Sequence, residues 1–336
     1  ASAGPLSAGA LETKVDRSWA RLEIMPKVLD GDGAVRKVSG GWAATGQPWA
    51  SAADRYATVA AERRREQQAM LDYLRTPGCR MEYLRQQLDD PAAQPCGRCD
   101  NCTGHPWPAE VSAEGTALAQ ARLLRPGVDI SPRRMWPPGM KRLGVDVTGK
   151  IPAQLSADTG RALGRLTGLG WGPRLRELLD PEAGGPVPDG PVPDDLVAAL
   201  VQVLAAWDWE QRPAGVVTVP SRTRPRLIAS LGERIAEIGR LPLLGSLSYD
   251  GSGPRGEHSP GEAPAQQFNS PQRLQAIWRE LRLPGPLAGA VASLGGPVMI
   301  IDDRVDSGWT MTVAARLLRE AGAPRVLPLV LAATTG

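Results

Sequence analysis

The stretch Pro297-Val-Met-Ile-Ile-Asp-Asp-Arg-Val-Asp-Ser-Gly-Trp-Thr310 decides the fold of the C-terminal part of the chain. Its first residues, 297–301, are apolar and predict a buried strand. Two carboxylates, Asp302 and Asp303, follow at once, and the composition of 310–321 is typical of a helix. A strand, a short turn and a helix in this order indicate a parallel sheet covered by helices.

The turn between this strand and this helix predicts an anion site. The backbone amides of 307–310 stand at a helix N-terminus, which attracts negative charge. The two carboxylates lie at the carboxyl end of a strand, where parallel sheets bind ligands. The surrounding sequence alternates in the same way. We expect helices over 194–207, 226–238 and 270–281, and strands over 215–219, 241–247 and 326–332.

Together these residues resemble the phosphoribosyl pyrophosphate signature of type I phosphoribosyltransferases, and the region is similar to competence-type amidophosphoribosyltransferase-like proteins. The resemblance implies that the acidic pair contacts ribose hydroxyls or magnesium and that the turn holds a 5′-phosphate. Val219-Pro-Ser-Arg-Thr-Arg224 resembles the family's diphosphate loop. The implied phosphate-binding residues are Asp302, Asp303, Asp306, Ser307, Gly308, Trp309, Thr310, Ser221 and Arg222.

The region also departs from the family pattern. Arg304 stands where the family has a small apolar residue, Trp309 is bulky inside the loop, and 249–265 carries no Lys where a catalytic loop would be. We therefore expect binding, with magnesium, but no turnover. A structural or partner-binding role and an active transferase remain the alternatives, because a fold alone does not decide activity.

The middle of the chain predicts a linker and a basic surface. Residues 181–193 are rich in Pro and Gly and predict a linker. We interpret 109–180 as a small α+β domain with a strand at 128–130 and helices over 112–124 and 157–167. Cations mixed with an aromatic side chain favour either single-stranded DNA or a protein partner. The residues concerned are Arg133, Arg134, Trp136, Lys141 and Arg142.

All the cysteines of the chain lie in one short window, at Cys79, Cys96, Cys99 and Cys102. Clustered cysteines favour a reducing compartment and a metal over scattered disulfides. Two overlapping CxxC turns aim thiolates at one point, and four thiolates close the shell of a structural zinc. A redox pair and an iron–sulfur cluster are the alternatives, and His105 is near enough to compete as a ligand.

Cys79-Arg80, a helical stretch and Pro95-Cys-Gly-Arg-Cys-Asp-Asn-Cys102 resemble the zinc-binding subdomain of RecQ-like DNA helicases, of the actinobacterial type. The predicted helix over 54–75 would be one arm of its hairpin. The resemblance implies an ATP-dependent parent helicase with a role in DNA repair. The sequence contains no phosphate loop that could bind ATP, and it starts without Met, so we expect the motor to lie in cis, upstream of these residues.

Residues 1–53 predict two helices followed by a hairpin, with Pro26 bending or splitting the second helix. This order is typical of a winged helix, whose cations contact DNA phosphates. The candidate contacts are Lys27, Arg36 and Lys37. A small packing domain with solvated charges is the alternative.

The predicted fold class is multidomain α+β and α/β, in four parts: a winged-helix-like piece (1–53), a helical zinc module (54–108), a small basic domain (109–180) and a phosphoribosyltransferase-like domain (181–336). The chain has 336 residues, a net charge of +3 and no long apolar run, so we expect a cytoplasmic, nucleoid-associated monomer with DNA as its partner. The competing functions are a zinc-stabilised phosphoribosyltransferase and a protein-interaction module without DNA affinity.

Overall fold

The computed structural model describes residues 4–15, 17, 19–49, 53–105, 110–180, 189–250 and 269–334. The chain forms two compact units. One comprises 46–119, and the other combines 1–45 with 120–336. The predicted zinc module therefore corresponds to a unit of its own. The first half of the predicted linker, 181–188, and most of the segment 249–265 lie outside the described residues.

Helices and strands are interleaved along the described part of the chain. The helices are α1 (Ala8–Glu12), α2 (Trp19–Gly31), α3 (Ala53–Arg75), α4 (Arg80–Gln87), α5 (Asp100–Thr103), α6 (Ala113–Leu123), α7 (Gly172–Leu179), α8 (Asp194–Ala205), α9 (Pro225–Gly239), α10 (Ser270–Glu280), α11 (Gly285–Leu294) and α12 (Trp309–Glu320). The strands are β1 (Val35–Val38), β2 (Gly41–Ala44), β3 (Val128–Ile130), β4 (Gly160–Arg165), β5 (Gly215–Thr218), β6 (Leu243–Ser246), β7 (Ser248–Tyr249), β8 (Leu281–Arg282), β9 (Val298–Val305) and β10 (Val326–Ala333).

A six-stranded sheet in the order β3-β4-β10-β9-β5-β6 forms the centre of the larger unit. Its strands run parallel, except that β3 pairs antiparallel with β4. Along β9 the side chains alternate between the two faces: Val298 and Ile300 join one core, and Met299 and Ile301 join the other. Because both faces are buried, the strand reads as a continuous apolar run, as parallel strands do.

Helices cover both faces of this sheet. Buried residues of α7, α8 and α9 pack on one face. Those of α10, α11 and α12 pack on the other. In α9 the buried positions Leu227, Ile228, Leu231 and Ile235 form one stripe at helical spacing. The predicted α/β layering of 194–332 is confirmed. Helix α11 was not predicted.

The sheet corrects two predictions for 109–180. The region was predicted as a small domain of its own, but β3 and β4 pair with each other and β4 pairs with β10, so both strands belong to the same sheet as the C-terminal strands. The predicted helix over 157–167 is wrong, because β4 lies in it. Gly160 and Gly164 explain this: an added Cβ would lie 2.6 Å from the Pro328 carbonyl oxygen and 2.9 Å from the Trp171 Cβ, respectively. Only residues without a side chain allow this close approach of strand and neighbours.

The N-terminal segment consists of α1, α2 and the hairpin β1–β2, which agrees with the predicted element order. Leu6 adds a bridge to Trp42 at the hairpin. Pro26 is buried inside α2, which continues to Gly31 rather than splitting. Helix α1 is attached to the sheet domain, since the Asn269 amide donates to the carbonyl oxygens of Glu12 and Val15. The winged-helix assignment stays a prediction.

The smaller unit is built on α3 and α4. The Tyr83 hydroxyl donates to the Ala69 carbonyl at 3.0 Å, and the ring of Tyr83 lies 6.2 Å from that of Tyr73. These contacts join the two helices as a hairpin, as expected from the sequence. None of the described helices in the chain is long and apolar enough to cross a membrane.

Candidate functional site

The four cysteines converge in the smaller unit. Their Sγ atoms all lie within 4.8 Å of one another. Cys79 is the N-cap residue of α4, where its Sγ accepts the Glu82 N–H at 3.4 Å. Gly97, between two of the ligands, has φ of +67°, which lets the chain turn back on itself. The cluster is a candidate metal centre.

The surroundings of the cysteines shift the pKa values of Cys79 and Cys102 in opposite directions. The Cys96 N–H, which donates to the Cys79 Sγ at 3.1 Å, helps to lower the pKa of Cys79 to about 6. The neighbouring Cys99 thiolate, in contrast, raises the pKa of Cys102 to about 12. Four thiolates this close repel one another unless a cation lies between them, so binding of a metal would release protons.

Zinc fits this donor set. In a tetrahedral site with Zn–S bonds of about 2.3 Å, sulfur atoms lie roughly 3.8 Å apart. Cys99 Sγ and Cys79 Sγ are 3.9 Å apart. The cluster contains four thiols and not His105, whose backbone N–H donates to Thr103. Four cysteines leave no open position, which favours a structural ion over a catalytic one.

Two polar side chains that the sequence reasoning did not single out hold the ligand loops together. Arg80 Nε donates to both carboxylate oxygens of Asp100, at 3.0 and 3.1 Å. Asn101 Nδ2 donates to the carbonyls of Thr76 and Gly78, both at 2.7 Å. Each residue is adjacent to a cysteine and belongs to the motif quoted above, although no role was assigned to it from the sequence. Such supporting contacts orient metal ligands and raise metal affinity.

A second candidate site lies in the larger unit, at the carboxyl ends of β5 and β9. A cavity of about 330 Å³ opens there. Its lining includes every phosphate-site residue expected from the sequence except Trp309. It also includes residues that were not assigned to the site, namely Arg224, Tyr249, Arg273, Arg304 and Met311. Arg224 could have been found, because it belongs to the same loop as Ser221.

Trp309 faces the core and not the cavity. Its indole is 3% exposed and stacks on Trp136 with ring centroids 6.4 Å apart. Arg133 lies over the outer face of the Trp309 ring and donates from Nε to the Ser307 carbonyl at 2.7 Å. Trp309 is therefore not among the residues that line the cavity, and Arg133 holds the 307–310 turn against the Trp309 ring.

The acidic pair is buried and has an internal partner. The Asp303 carboxylate faces the guanidinium of Arg224 at 3.4 Å, and the Arg224 side chain is 5% exposed. Burial, helped by the charge of Asp303, raises the pKa of Asp302 well above its usual range. Asp302 Oδ1 accepts the backbone N–H of Asp303 at 2.8 Å.

Two further ion pairs connect residues that line the cavity to helix α10. Asp306 pairs with Arg273 of α10 and accepts the Thr334 hydroxyl at 2.8 Å. Burial by itself would raise the pKa of Asp306, but these two partners outweigh burial and lower the pKa. Arg222 pairs with Glu280 and lies over the Tyr249 ring, 4.4 Å from its centroid. The phosphate loop turns at Gly308, where φ is +77°.

Magnesium does not fit the acidic pair. The ion is held in proteins by one or two carboxylates together with phosphate oxygens and water. Here the guanidinium of Arg224 already pairs with Asp303, and burial raises the pKa of Asp302. The pair does not present two free carboxylates, so the chemistry of the donors disagrees with the magnesium that the phosphoribosyltransferase resemblance implies.

The DNA-contact residues expected from the sequence have different surroundings. Trp136 is 6% exposed and makes an edge contact with Trp278 inside the core, so base stacking on it is excluded. Lys27 pairs with Glu23, and Lys141 pairs with Asp146. Arg133 is exposed, but it donates to the Ser307 carbonyl and lies over the Trp309 ring. The other four cations, Arg36, Lys37, Arg134 and Arg142, are exposed.

The comparisons with known proteins bear on the smaller unit. Residues 50–103 match the family described as RecQ zinc-binding. A search of curated proteins returned no match. The matched range contains all four ligating cysteines, together with the Arg80–Asp100 pair that joins their loops. The match and the cysteine cluster together support a RecQ-like protein with a RecQ zinc-binding domain at residues 50–103.

Proposed function

We propose that this chain is the DNA-binding accessory part of an ATP-dependent RecQ-like DNA helicase, whose motor acts in cis. The observation that carries this proposal is the RecQ zinc-binding match over 50–103, with its four converging thiols. Zinc would have a folding role there, because a closed four-thiolate shell has no position for a substrate. Strand separation would belong to the motor.

Two exposed basic surfaces are available for the DNA backbone. The first is β1, where Arg36 and Lys37 are both exposed. The second carries Arg134 and Arg142, and Lys150 lies beside it because Met135 and Lys150 form a strand bridge. Exposed arginines and lysines without buried partners suit phosphate contacts, which give affinity without sequence preference.

A salt titration tests this proposal. We expect a fluorescent single-stranded oligonucleotide to bind the chain, with log K falling linearly as log salt rises. Each double variant, Arg36→Ala/Lys37→Ala or Arg134→Ala/Arg142→Ala, should reduce the slope by roughly one to two if its surface contacts phosphates. Arg212→Ala/Arg226→Ala removes the same charge from exposed positions outside both surfaces and should leave the slope unchanged.

Absence of binding even at low salt would contradict the DNA-contact role. It would leave a protein-interaction module without DNA affinity as the better interpretation. Equal slopes for the control and both double variants would instead show that the contacts lie elsewhere. An ATPase assay of this chain should be negative, since the sequence holds no phosphate loop.

A second candidate function rests on the cavity in the larger unit. We infer that it binds a phosphoribosyl-type ligand, because the expected acidic pair, loop and helix N-terminus line one cavity. Its lining includes four arginines, and two of its three carboxylates, Asp303 and Asp306, are held in ion pairs. We expect binding without transfer. Calorimetric titration with phosphoribosyl pyrophosphate tests binding, and pyrophosphate release with a nucleobase present would overturn the absence of transfer.

A further inference from the structure

Three of the four arginines that line the cavity are already held in ion pairs. Arg222 pairs with Glu280, Arg224 with Asp303, and Arg273 with Asp306. Arg304 also lines the cavity, and within the described residues it makes no ion pair. Its side chain is exposed. Among the described residues, Arg304 is therefore the one lining arginine without an ion pair, close to the loop that resembles a phosphate site. Its charge acts on Asp302 and Asp306, and it opposes the rise in the pKa of Asp302.

Arg224 is an internal cation of this site. The residue is 4% exposed, its Nη2 donates to the carbonyl of Leu179 at the end of α7, and its Nη1 faces Asp303. Its Nε is buried and has no hydrogen-bond partner in the described part of the chain. A guanidinium held from two sides in this way keeps a positive charge beside the acidic pair whether or not a ligand is bound.

The position of Arg224 conflicts with a bound divalent cation. A magnesium ion at the acidic pair would lie near a guanidinium that cannot lose its proton, and the two cations would repel each other. Asp303 would have to give up its buried partner, which leaves a buried charge uncompensated. The arginine supplies the charge that the ion would supply.

The phosphate end of the cavity has room and charge for one phosphate group. Helix α12 has 12 residues, and its first amides follow Gly308, which is left-handed. These amides, the Thr310 side chain and Arg304 line the same cavity. A diphosphate would need further free cations on the opposite loop, but Arg222 there is committed to Glu280 and Tyr249. The charges match a monoester.

We infer that this cavity binds the phosphomonoester of a five-carbon sugar without a divalent cation, with Arg224 in the place of the metal. The inference rests on the second function proposed above and narrows its ligand. The phosphate lies on the α12 N-terminus and Arg304, and the sugar hydroxyls contact Asp302 and Asp303. A cavity of about 330 Å³ is in the range of small-ligand sites.

Calorimetry with ribose 5-phosphate tests the inference directly. The protein is titrated once in EDTA with its zinc retained, as checked by metal analysis, and once in magnesium. We expect the two dissociation constants to agree within about twofold. Binding that is tenfold or more tighter in magnesium would overturn the inference but keep the phosphoribosyl site. No heat with ribose 5-phosphate or with phosphoribosyl pyrophosphate in either buffer would overturn both.

Substitution of Arg224 gives a sharper version of the test. Arg224→Ala should weaken binding in EDTA by roughly 10- to 100-fold, the usual loss for a charge-assisted contact. Magnesium should restore part of this binding to Arg224→Ala but not alter the wild type. Arg224→Lys keeps the charge and should stay independent of magnesium. If magnesium fails to help a folded Arg224→Ala protein, Arg224 does not stand in for the ion.

Arg224 is buried, so its variants could fail to fold. Arg304→Gln tests the proposal independently of them. Arg304 is exposed, so the fold should be kept, and binding of ribose 5-phosphate in EDTA should weaken by about tenfold or more. Arg212→Gln, also exposed, is the matched control and should bind as the wild type does. If Arg304→Gln and the wild type bind ribose 5-phosphate with equal affinity, Arg304 does not contact the phosphate and the proposal is contradicted.

A 5′-phosphorylated DNA end carries the same phosphomonoester but no free sugar hydroxyl, because it lacks a 2′ hydroxyl and its 3′ oxygen is esterified. We therefore expect that a 5′-phosphorylated oligonucleotide does not displace ribose 5-phosphate. Displacement by this oligonucleotide, but not by its 5′-hydroxyl counterpart, would show that the phosphate alone is recognised and would overturn the proposed sugar contacts.

Discussion

At the scale of single residues, the four thiols of the zinc-binding domain are held differently. Cys79 is buried at the start of α4, whereas Cys102 is exposed at the end of the cluster. The chain nevertheless brings all four sulfur atoms within 4.8 Å. Because four thiolates at this distance repel one another, a metal ion bound between them would stabilise the cluster.

We predict that Cys96→Ser loses zinc and that the 46–119 unit unfolds. Structural zinc contributes on the order of 10 kcal/mol to the folding of small metal-dependent modules, and a three-thiolate site forfeits much of this. Metal analysis and limited proteolysis would show the loss. His105→Ala is the matched control and should retain one zinc per chain, because His105 lies outside the cluster. Zinc retained by Cys96→Ser, or iron found in place of zinc, would contradict the four-thiolate zinc site.

A second prediction at this scale concerns Asp302, whose pKa is raised well above its usual range mainly by burial. The folded state binds this proton more tightly than the unfolded state, so stability is lost as pH rises above the ordinary aspartate range. Asp302→Asn should therefore raise the melting temperature at pH 7, and the gain should vanish near pH 3. Thermal unfolding followed by circular dichroism measures this.

Asp306→Asn is the control, and we expect its effect on the melting temperature at pH 7 to be opposite to that of Asp302→Asn. Arg273 and Thr334 lower the pKa of Asp306, so its contribution to stability is present above the usual aspartate range and is lost as pH falls. This variant should melt at a lower temperature at pH 7. If both variants shift in the same direction, the pKa of Asp302 is not raised.

At the scale of elements, β4 depends on its glycines. Gly160→Ala would bring a Cβ to 2.6 Å from the Pro328 carbonyl oxygen in β10, and we expect a loss of about 1–3 kcal/mol. Gly289→Ala in α11 meets no atom within 4 Å and should gain about 0.5–1 kcal/mol through reduced chain entropy. Urea unfolding of both variants measures the difference. A stable Gly160→Ala protein would show that β4 pairs less closely with β10.

The comparison of sequence and structure is most instructive in these elements. The strands β5, β9 and β10 could be predicted because burial on both faces makes them continuous apolar runs. Strand β4 could not, since Gly-Arg-Ala-Leu-Gly-Arg has weak strand propensity and its conformation is imposed by neighbours.

The two candidate sites also differ in how much of their structure the sequence predicted. The cysteine spacing predicted the ligands of the metal centre. The inward orientation of Trp309 and the partners of Arg224 arise from packing between distant segments, which no local pattern reports.

At the scale of the whole molecule, the two units should respond separately to chelation. Removal of zinc should unfold 46–119, while the sheet domain, whose cores contain no metal ligand among their residues, should stay folded. We expect near-ultraviolet circular dichroism from Trp136, Trp207 and Trp309 to persist when a strong chelator is added. Increased cleavage should be confined to the smaller unit. Loss of the tryptophan signal would contradict independent units, and Cys96→Ser should be insensitive to the chelator.

The central position of β10 has a consequence for how this chain can be divided. Its two neighbours are β9, which follows the proline-rich segment, and β4, which precedes it. A truncated protein that starts at residue 181 would lose β4 and expose an eight-residue edge whose side chains are all buried in the intact chain. Unpaired, flat and apolar edges recruit other copies, so this piece should precipitate. The shortest soluble piece with this sheet has to begin before β3.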